Sequence, residues 1–151
     1  MSFLIQSPYS FMVKALIAAA LGFWLVGCSE NRSSQCVKLI SVANQAVNSI
    51  EAVTAPNSAD SIEALKQIAV VAQETNTAMK DLKLTDGKLV EFRDRFTAMY
   101  EATSAATQSL IESSSVKNTA ASQKAYEDLK VSTSQESPLV DEVNQYCNAG
   151  Q

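Results

Sequence analysis

Leu89-Val90-Glu91-Phe92-Arg93-Asp94-Arg95-Phe96-Thr97-Ala98-Met99-Tyr100 decides how this chain is read. Its apolar side chains stand at Leu89, Phe92, Phe96 and Met99, and the stripe runs on through Thr103, Ala106 and Leu110. Recurrence at three and four residues is the period of an α-helix with one face turned to a core, whereas a half-buried strand alternates every second residue. Thr85-Asp86-Gly87 precedes the stripe and offers Asp86 or Thr85 as a cap, so the spacing predicts a helix from about Gly87 to Glu112. On its outer face Glu91 precedes Arg95 by four residues, the favourable order for a surface ion pair.

The same period extends to both sides. Cys36, Ile40, Ala43, Val47 and Ile50, widened by Leu39, Ala46 and Val53, predict a first helix from about Gln35 to Val53, ended by Thr54-Ala55-Pro56-Asn57. Ile62, Leu65, Ala69, Ala72, Asn76 and Met79 predict a second from about Ala59 to Asp81, with Ser58 or Asp60 as its cap. Asn76 interrupts that seam and reads as a rim position or a satisfied core amide. After Ser113-Ser114-Ser115, Ala121, Ala125, Tyr126 and Leu129 predict a helix that starts near Asn118 or Thr119. The pattern falters at Ser134-Gln135-Glu136-Ser137-Pro138, then resumes through Leu139, Val140, Val143 and Tyr146 to Cys147. The expected fold is all-α: an up-down-up-down four-helix bundle whose last helix is bent or split at Pro138.

The 151-residue sequence contains no histidine. That removes the commonest general base and metal ligand, serine–histidine nucleophile systems and the Glu-x-x-His sites of di-iron bundles. Cys-x-x-Cys, glycine-rich phosphate loops and calcium loops are also missing from it. Asp141 and Glu142 are neighbours and point different ways on a helix, so they read as solvated surface. The expectation is a non-enzyme with no catalytic residues, no metal site and no cofactor. A hydrolase or metalloenzyme is the least supported class. The sharpest candidate for recognition is the ladder Phe92, Phe96 and Tyr100, spaced at four, with Met99 beside it. It reads as the core stripe of its helix, or as a face for an apolar partner or ligand. Tyr126 and Tyr146 read as rim residues with wet hydroxyls.

Toward the N-terminus, Lys14 is followed by 13 apolar or small residues, Ala15 to Gly27, too few to span a bilayer comfortably and right for the core of an export signal. A start at Met12 would give a more compact signal than one at Met1, with the same mature chain. The signal ends in Leu25-Val26-Gly27-Cys28, which resembles the lipobox of bacterial lipoproteins. That resemblance implies cleavage before Cys28, a covalent diacylglyceryl group on its sulfur, and a membrane held through two acyl chains, which anchor firmly where one chain binds marginally. Leu25 also spoils the small-residue pattern of an ordinary secretory site. Ser29 in place of Asp implies transfer to the outer membrane in a Gram-negative host. The division expected is a signal over 1–27, a lipidated polar tether over 28–34, a helical domain over 35–148 and a tail over 149–151.

Lys14 is the only charged residue before Cys28, which leaves eleven basic against sixteen acidic side chains in the mature part. An acidic body argues against nucleic acid and against electrostatic adhesion to anionic lipid. Three cysteines are an odd number for an exported chain. If the lipobox takes Cys28, then Cys36 and Cys147 remain as a pair able to form a disulfide in an oxidising compartment, the alternative being two buried thiols. In a four-helix up-down arrangement the two lie at the same end. With three long helices they would be about 30 Å apart, beyond any disulfide.

Leu82-Lys83-Leu84, the segment Phe92 to Tyr100, and Pro138-Leu139-Val140 through Tyr146-Cys147 together resemble bacterial lipoproteins in which a helical domain is framed by an early and a late cysteine. The resemblance implies no activity. Extrinsic lipoprotein subunits of cyanobacterial photosystem II are similar in architecture alone. The expected function is a non-enzymatic envelope lipoprotein that scaffolds or serves a membrane-associated complex, on the periplasmic face of an outer membrane or, in a cyanobacterium, in the thylakoid lumen. The other expectation is a small-ligand or lipid carrier with a cavity near Phe92, Phe96 and Tyr100.

Overall fold

A computed structural model describes residues 30–54 and 61–149. The expected signal segment with Cys28, the expected stop at Pro56, the expected caps Ser58 or Asp60, and the last two residues lie outside the described part. Five helical segments make up the rest: α1 (Arg32–Thr54), α2 (Ser61–Asp81), α3 (Gly87–Ser115), α4 (Thr119–Thr133) and α5 (Glu136–Asn148). Among the described residues there is no strand.

The helix ends follow local chemistry. Asn31 starts α1 three residues ahead of the expected Gln35, because its Oδ1 accepts the Ser34 N–H at 2.8 Å. Part of the expected tether is thus the first turn of a helix. Asp86 caps α3 by accepting the Lys88 and Leu89 N–H groups, each at 3.0 Å. Ser113 and Ser115 bond back to the carbonyls of Leu110 and Glu112, so α3 outlasts the expected Glu112 by three residues. It stops where Lys117 turns left-handed (φ 54°), with Lys117 N–H on Ser114 O at 3.1 Å and Asn118 N–H on Ser113 O at 2.9 Å. That pair of bonds is the Schellman stop, here made without glycine.

The interruption in the last arm falls at Ser134-Gln135, ahead of Pro138. Ser132, Thr133 and Ser134 turn their hydroxyls onto the final carbonyls of α4 at 2.8–2.9 Å. Pro138 then sits in the first turn of α5, where a missing N–H costs nothing, and the Leu139 N–H opens the helix by bonding Gln135 O at 3.2 Å.

α3 is the central element and packs along α2, α4 and α5, while α1 packs on α2 and α5. Between α2 and α3, Asn76 Nδ2 donates to Thr97 O at 3.0 Å and Ser104 Oγ to Ala69 O at 3.3 Å. Asn76 is therefore a satisfied amide at the seam. Along the opposite side of α3 the partners run Ser113–Ser122, Thr103–Ser132, Tyr100–Glu136 and Arg95–Glu142. As the α3 numbers fall the others rise, so α4 and α5 form one interrupted arm laid against α3. Arg95 thereby leaves Glu91, which pairs with Lys88 at 2.9 Å. A carboxylate on a packed neighbouring helix displaces the intrahelical partner, and Glu142, expected to be merely solvated, is that neighbour.

The core changes character along its length. Leu39, Met79, Leu89, Phe92, Phe96, Tyr100, Leu139 and Val143 are fully buried toward the Cys36 end. Toward the other end the buried positions include Ala69, Ala106, Ala125, Thr103, Ser104, Thr107, Ser113 and Ser132. Ile50, Ile68 and Leu110 are only half-buried there. Most of the apolar area removed from water, at about 25 cal/mol per Å², therefore lies at the Cys36 end.

Candidate functional site

The densest set of interactions gathers where the chain enters and leaves the domain. Cys36 near the start of α1 and Cys147 near the end of α5 form a disulfide, with Cα atoms 5.9 Å apart. Next to it Gln35 is 2 % exposed. Its Oε1 accepts the Thr85 N–H at 2.7 Å and the Asp86 N–H at 3.0 Å. Its Nε2 donates to Glu30 O at 2.7 Å and to Thr85 Oγ1 at 3.0 Å. One buried amide thus fills its two acceptor and two donor positions and ties the start of α1 to the start of α3.

Tyr146 adds the end of α5. Its hydroxyl donates to the Asp86 carboxylate, 3.0 Å from Oδ1 and 2.9 Å from Oδ2. Its ring meets Phe92 edge-on at 5.9 Å, and the Arg32 guanidinium lies 5.0 Å from its centroid. Burial pushes the Asp86 carboxyl upward, but the Leu89 N–H, the Tyr146 hydroxyl, the Lys88 N–H and the Arg32 charge outweigh it and hold the carboxyl below its ordinary value. A carboxylate held ionised, with its lone pairs engaged, serves as a brace. A proton donor at neutral pH needs the opposite shift. Among the described residues no group of histidine, cysteine, aspartate and glutamate side chains is placed to hold a metal ion.

Phe92, Phe96 and Tyr100 are each 1 % exposed, so the ladder offers no surface to a partner. The reason is α5, whose Leu139 and Val143 are buried in the same cluster. Phe96 and Tyr100 stack with centroids 6.3 Å apart. The Tyr100 hydroxyl donates to Glu136 Oε1 at 2.8 Å, and burial together with the nearby Glu136 charge pushes it far above the usual phenol range. A cleft of about 170 Å³ between α1 and α5 has Phe96 in its lining. Tyr126 is exposed as expected, whereas Tyr146 is half-buried and bonded. Among the described residues the exposed large apolar side chains, Val37, Val70, Val116, Tyr126 and Val131, are dispersed over four segments, which is ordinary for a protein surface.

The roles of Gln35, Glu136 and Arg32 carry no periodic signal, because each depends on a partner far away in sequence. Asp86 was legible as a cap, but its link to Tyr146 was not.

No family model matches the chain, and no curated protein or solved structure matches it significantly. Among the described residues no helix is long and apolar enough to cross a membrane.

Proposed function

We propose that this protein is a non-enzymatic lipoprotein of the bacterial envelope, anchored through diacylglyceryl-Cys28, that scaffolds or serves a membrane-associated complex. One observation carries the orientation. Glu30, two residues beyond Cys28, is held at the cystine end by Gln35, whose Nε2 bonds its carbonyl at 2.7 Å. The anchor is then attached to the end with the heaviest core and the covalent brace. With its helices running up and down, and α4 with α5 as the fourth arm, the bundle stands outward from the bilayer. The 23 residues of α1 carry the opposite end about 35 Å away, at about 1.5 Å per residue. The thin, hydroxyl-rich end is thereby offered to a partner. A cystine between Cys36 and Cys147 supports an exported, oxidising compartment.

Intact mass spectrometry of membrane-extracted protein tests the anchor. The expected species begins at Cys28, carries the acyl mass and is two hydrogens lighter for the cystine. An unacylated chain, or a Cys28→Ala variant that stays in the membrane fraction, would refute it. Affinity purification from solubilised host membranes tests the scaffold role, which is abandoned if no partner recurs.

A further inference from the structure

The hydrogen bonds between helices fall into two chemical classes. Across α2 and α3 they run from Asn76 Nδ2 to Thr97 O and from Ser104 Oγ to Ala69 O. Across α3 and α4 they are the hydroxyl pairs Ser113–Ser122 and Thr103–Ser132. The Gln35 amide ties α1 to the start of α3. Amides and alcohols do not titrate between acid and neutral pH. Lys80 and Glu101 add an ion pair across α2 and α3, but both side chains are more than half exposed, and such pairs contribute little. α5 differs: among the described residues, each of its side-chain hydrogen bonds to another element uses a carboxylate. Tyr100 donates to Glu136 at 2.8 Å, Arg95 grips Glu142 with both terminal nitrogens, and Tyr146 donates to Asp86.

The charges around α5 point the same way. Arg32 of α1 lies 5.0 Å from the Tyr146 ring centre, and Lys88 and Arg95 of α3 lie 4.8 and 5.8 Å from that of Phe92. Asp86, Glu91 and Glu142 balance these three cations. Asp141, on α5 itself, is exposed. Burial raises Asp86, yet the Leu89 N–H and the Tyr146 hydroxyl outweigh it, while the Arg95 hydrogen bond holds Glu142 down. Both carboxylates therefore grip α5 fully above their ordinary values and release it as the pH falls through the lowered ones. Protonation also leaves Arg32, Lys88 and Arg95 to repel one another. What still holds α5 in acid is its buried Leu139 and Val143 and the cystine at Cys147. A 13-residue helix is marginal without its neighbours.

We infer that α5 is an acid-sensitive cover, which loosens alone on acidification between Ser134-Gln135 and the cystine, uncovers Phe92, Phe96 and Tyr100, and closes again at neutral pH. The chain at one end and the cystine at the other confine the opening to a closed loop. The seams of α2, α3 and α4, bonded by neutral groups, stay folded beside it. This device does not depend on the Cys28 anchor.

Amide hydrogen exchange of the complete oxidised protein tests it, read as protection factors so that the intrinsic pH dependence of exchange is divided out. Between about pH 6.5 and about pH 3, protection of Leu139 to Tyr146 should fall about tenfold or more, and it should return on neutralisation. Over the same range Ala72 to Met79 and Thr103 to Thr107 should change by less than about threefold. Asp86→Asn/Glu136→Gln/Glu142→Gln keeps the shapes and the α3 cap without the charges. Its α5 should already be loosened at neutral pH, with protection flat across the range. Glu142→Gln alone, at an exposed position, should shrink the step, and Glu101→Gln should leave it unchanged. Loss of protection in α2, α3 and α5 together would overturn the assignment. So would an α5 still protected at about pH 3, or a step that is full in Glu142→Gln or altered as much by Glu101→Gln.

Discussion

The Tyr146 hydroxyl spans the two carboxylate oxygens of Asp86 at 3.0 and 2.9 Å, joining the last turn of α5 to the cap of α3 across 60 residues of sequence. Asp86 therefore holds two kinds of donor, the backbone of α3 and a side chain of the closing helix. Replacing it by alanine removes both and should cost about 1–2 kcal/mol, the upper range for a lost cap. Tyr146→Phe removes one hydrogen bond and should cost about 1 kcal/mol. Because they share a bond, the double variant should be less destabilised than the two singles added together. Chemical denaturation of the four proteins measures the coupling, and strict additivity would show that the contact contributes nothing.

Acid should act through the same carboxylate. Asp86 has a folded value below its ordinary 3.8, so its contribution is complete above 3.8 and is lost as the pH falls through the lowered folded value. Glu142 behaves likewise, held down chiefly by its hydrogen bond from Arg95. The gap in melting temperature between the wild type and Asp86→Ala should be constant from neutral pH to about 5 and should narrow steeply below about 4. A gap that widened on acidification would reverse the assigned sign.

Lys117 stops α3 in the left-handed region at φ 54°, where a Cβ is disfavoured by about 1–2 kcal/mol relative to glycine. Glycine loses some of this advantage to its freer unfolded chain. Lys117→Gly should therefore stabilise the protein by about 0.5–1 kcal/mol with unchanged secondary structure. Thermal melting followed by circular dichroism reads the effect, and a destabilised variant would mean that the lysine side chain contributes more than the backbone strain.

These features differ in how far the sequence announces them. Leu89, Phe92, Phe96 and Met99 declare a helix because periodicity is local, and Asp86 declares a cap because its targets lie two and three residues ahead. The Cys36–Cys147 pairing was reachable by counting, once Cys28 was assigned to lipid. Arg95 was misread because Glu91 and Glu142 are equally good partners and only packing chooses between them. Gln35 was invisible, since a polar residue at a helix start has no pattern until Thr85 and Asp86 arrive beside it. The break at Ser134-Gln135 lies inside the stretch Ser134 to Pro138 where the apolar period falters, and the hydroxyls of Ser132, Thr133 and Ser134 place it ahead of the proline. The receptor reading of the ladder depended on what covers it, and that is α5, whose placement is tertiary.

The disulfide should dominate the stability of the whole domain. It joins positions 111 residues apart, and loop-entropy arguments put such a closure at about 4–5 kcal/mol. α5 has 13 residues, about the length below which an isolated helix is marginal in water, so its order depends on being held against α1 and α3. Reduction should lower the melting temperature by about 15–20 °C, from roughly 2.1 cal/mol/K of unfolding entropy per residue over the domain. The loss should begin at α5, since hydrogen exchange is fastest where few contacts remain. Amides of Val143 to Cys147 should therefore lose protection before those of Phe96 to Thr107. A Cys36→Ser/Cys147→Ser variant should reproduce both effects. An unchanged melt after complete reduction would mean that the Gln35 and Asp86–Tyr146 clamp holds this end without the covalent bond.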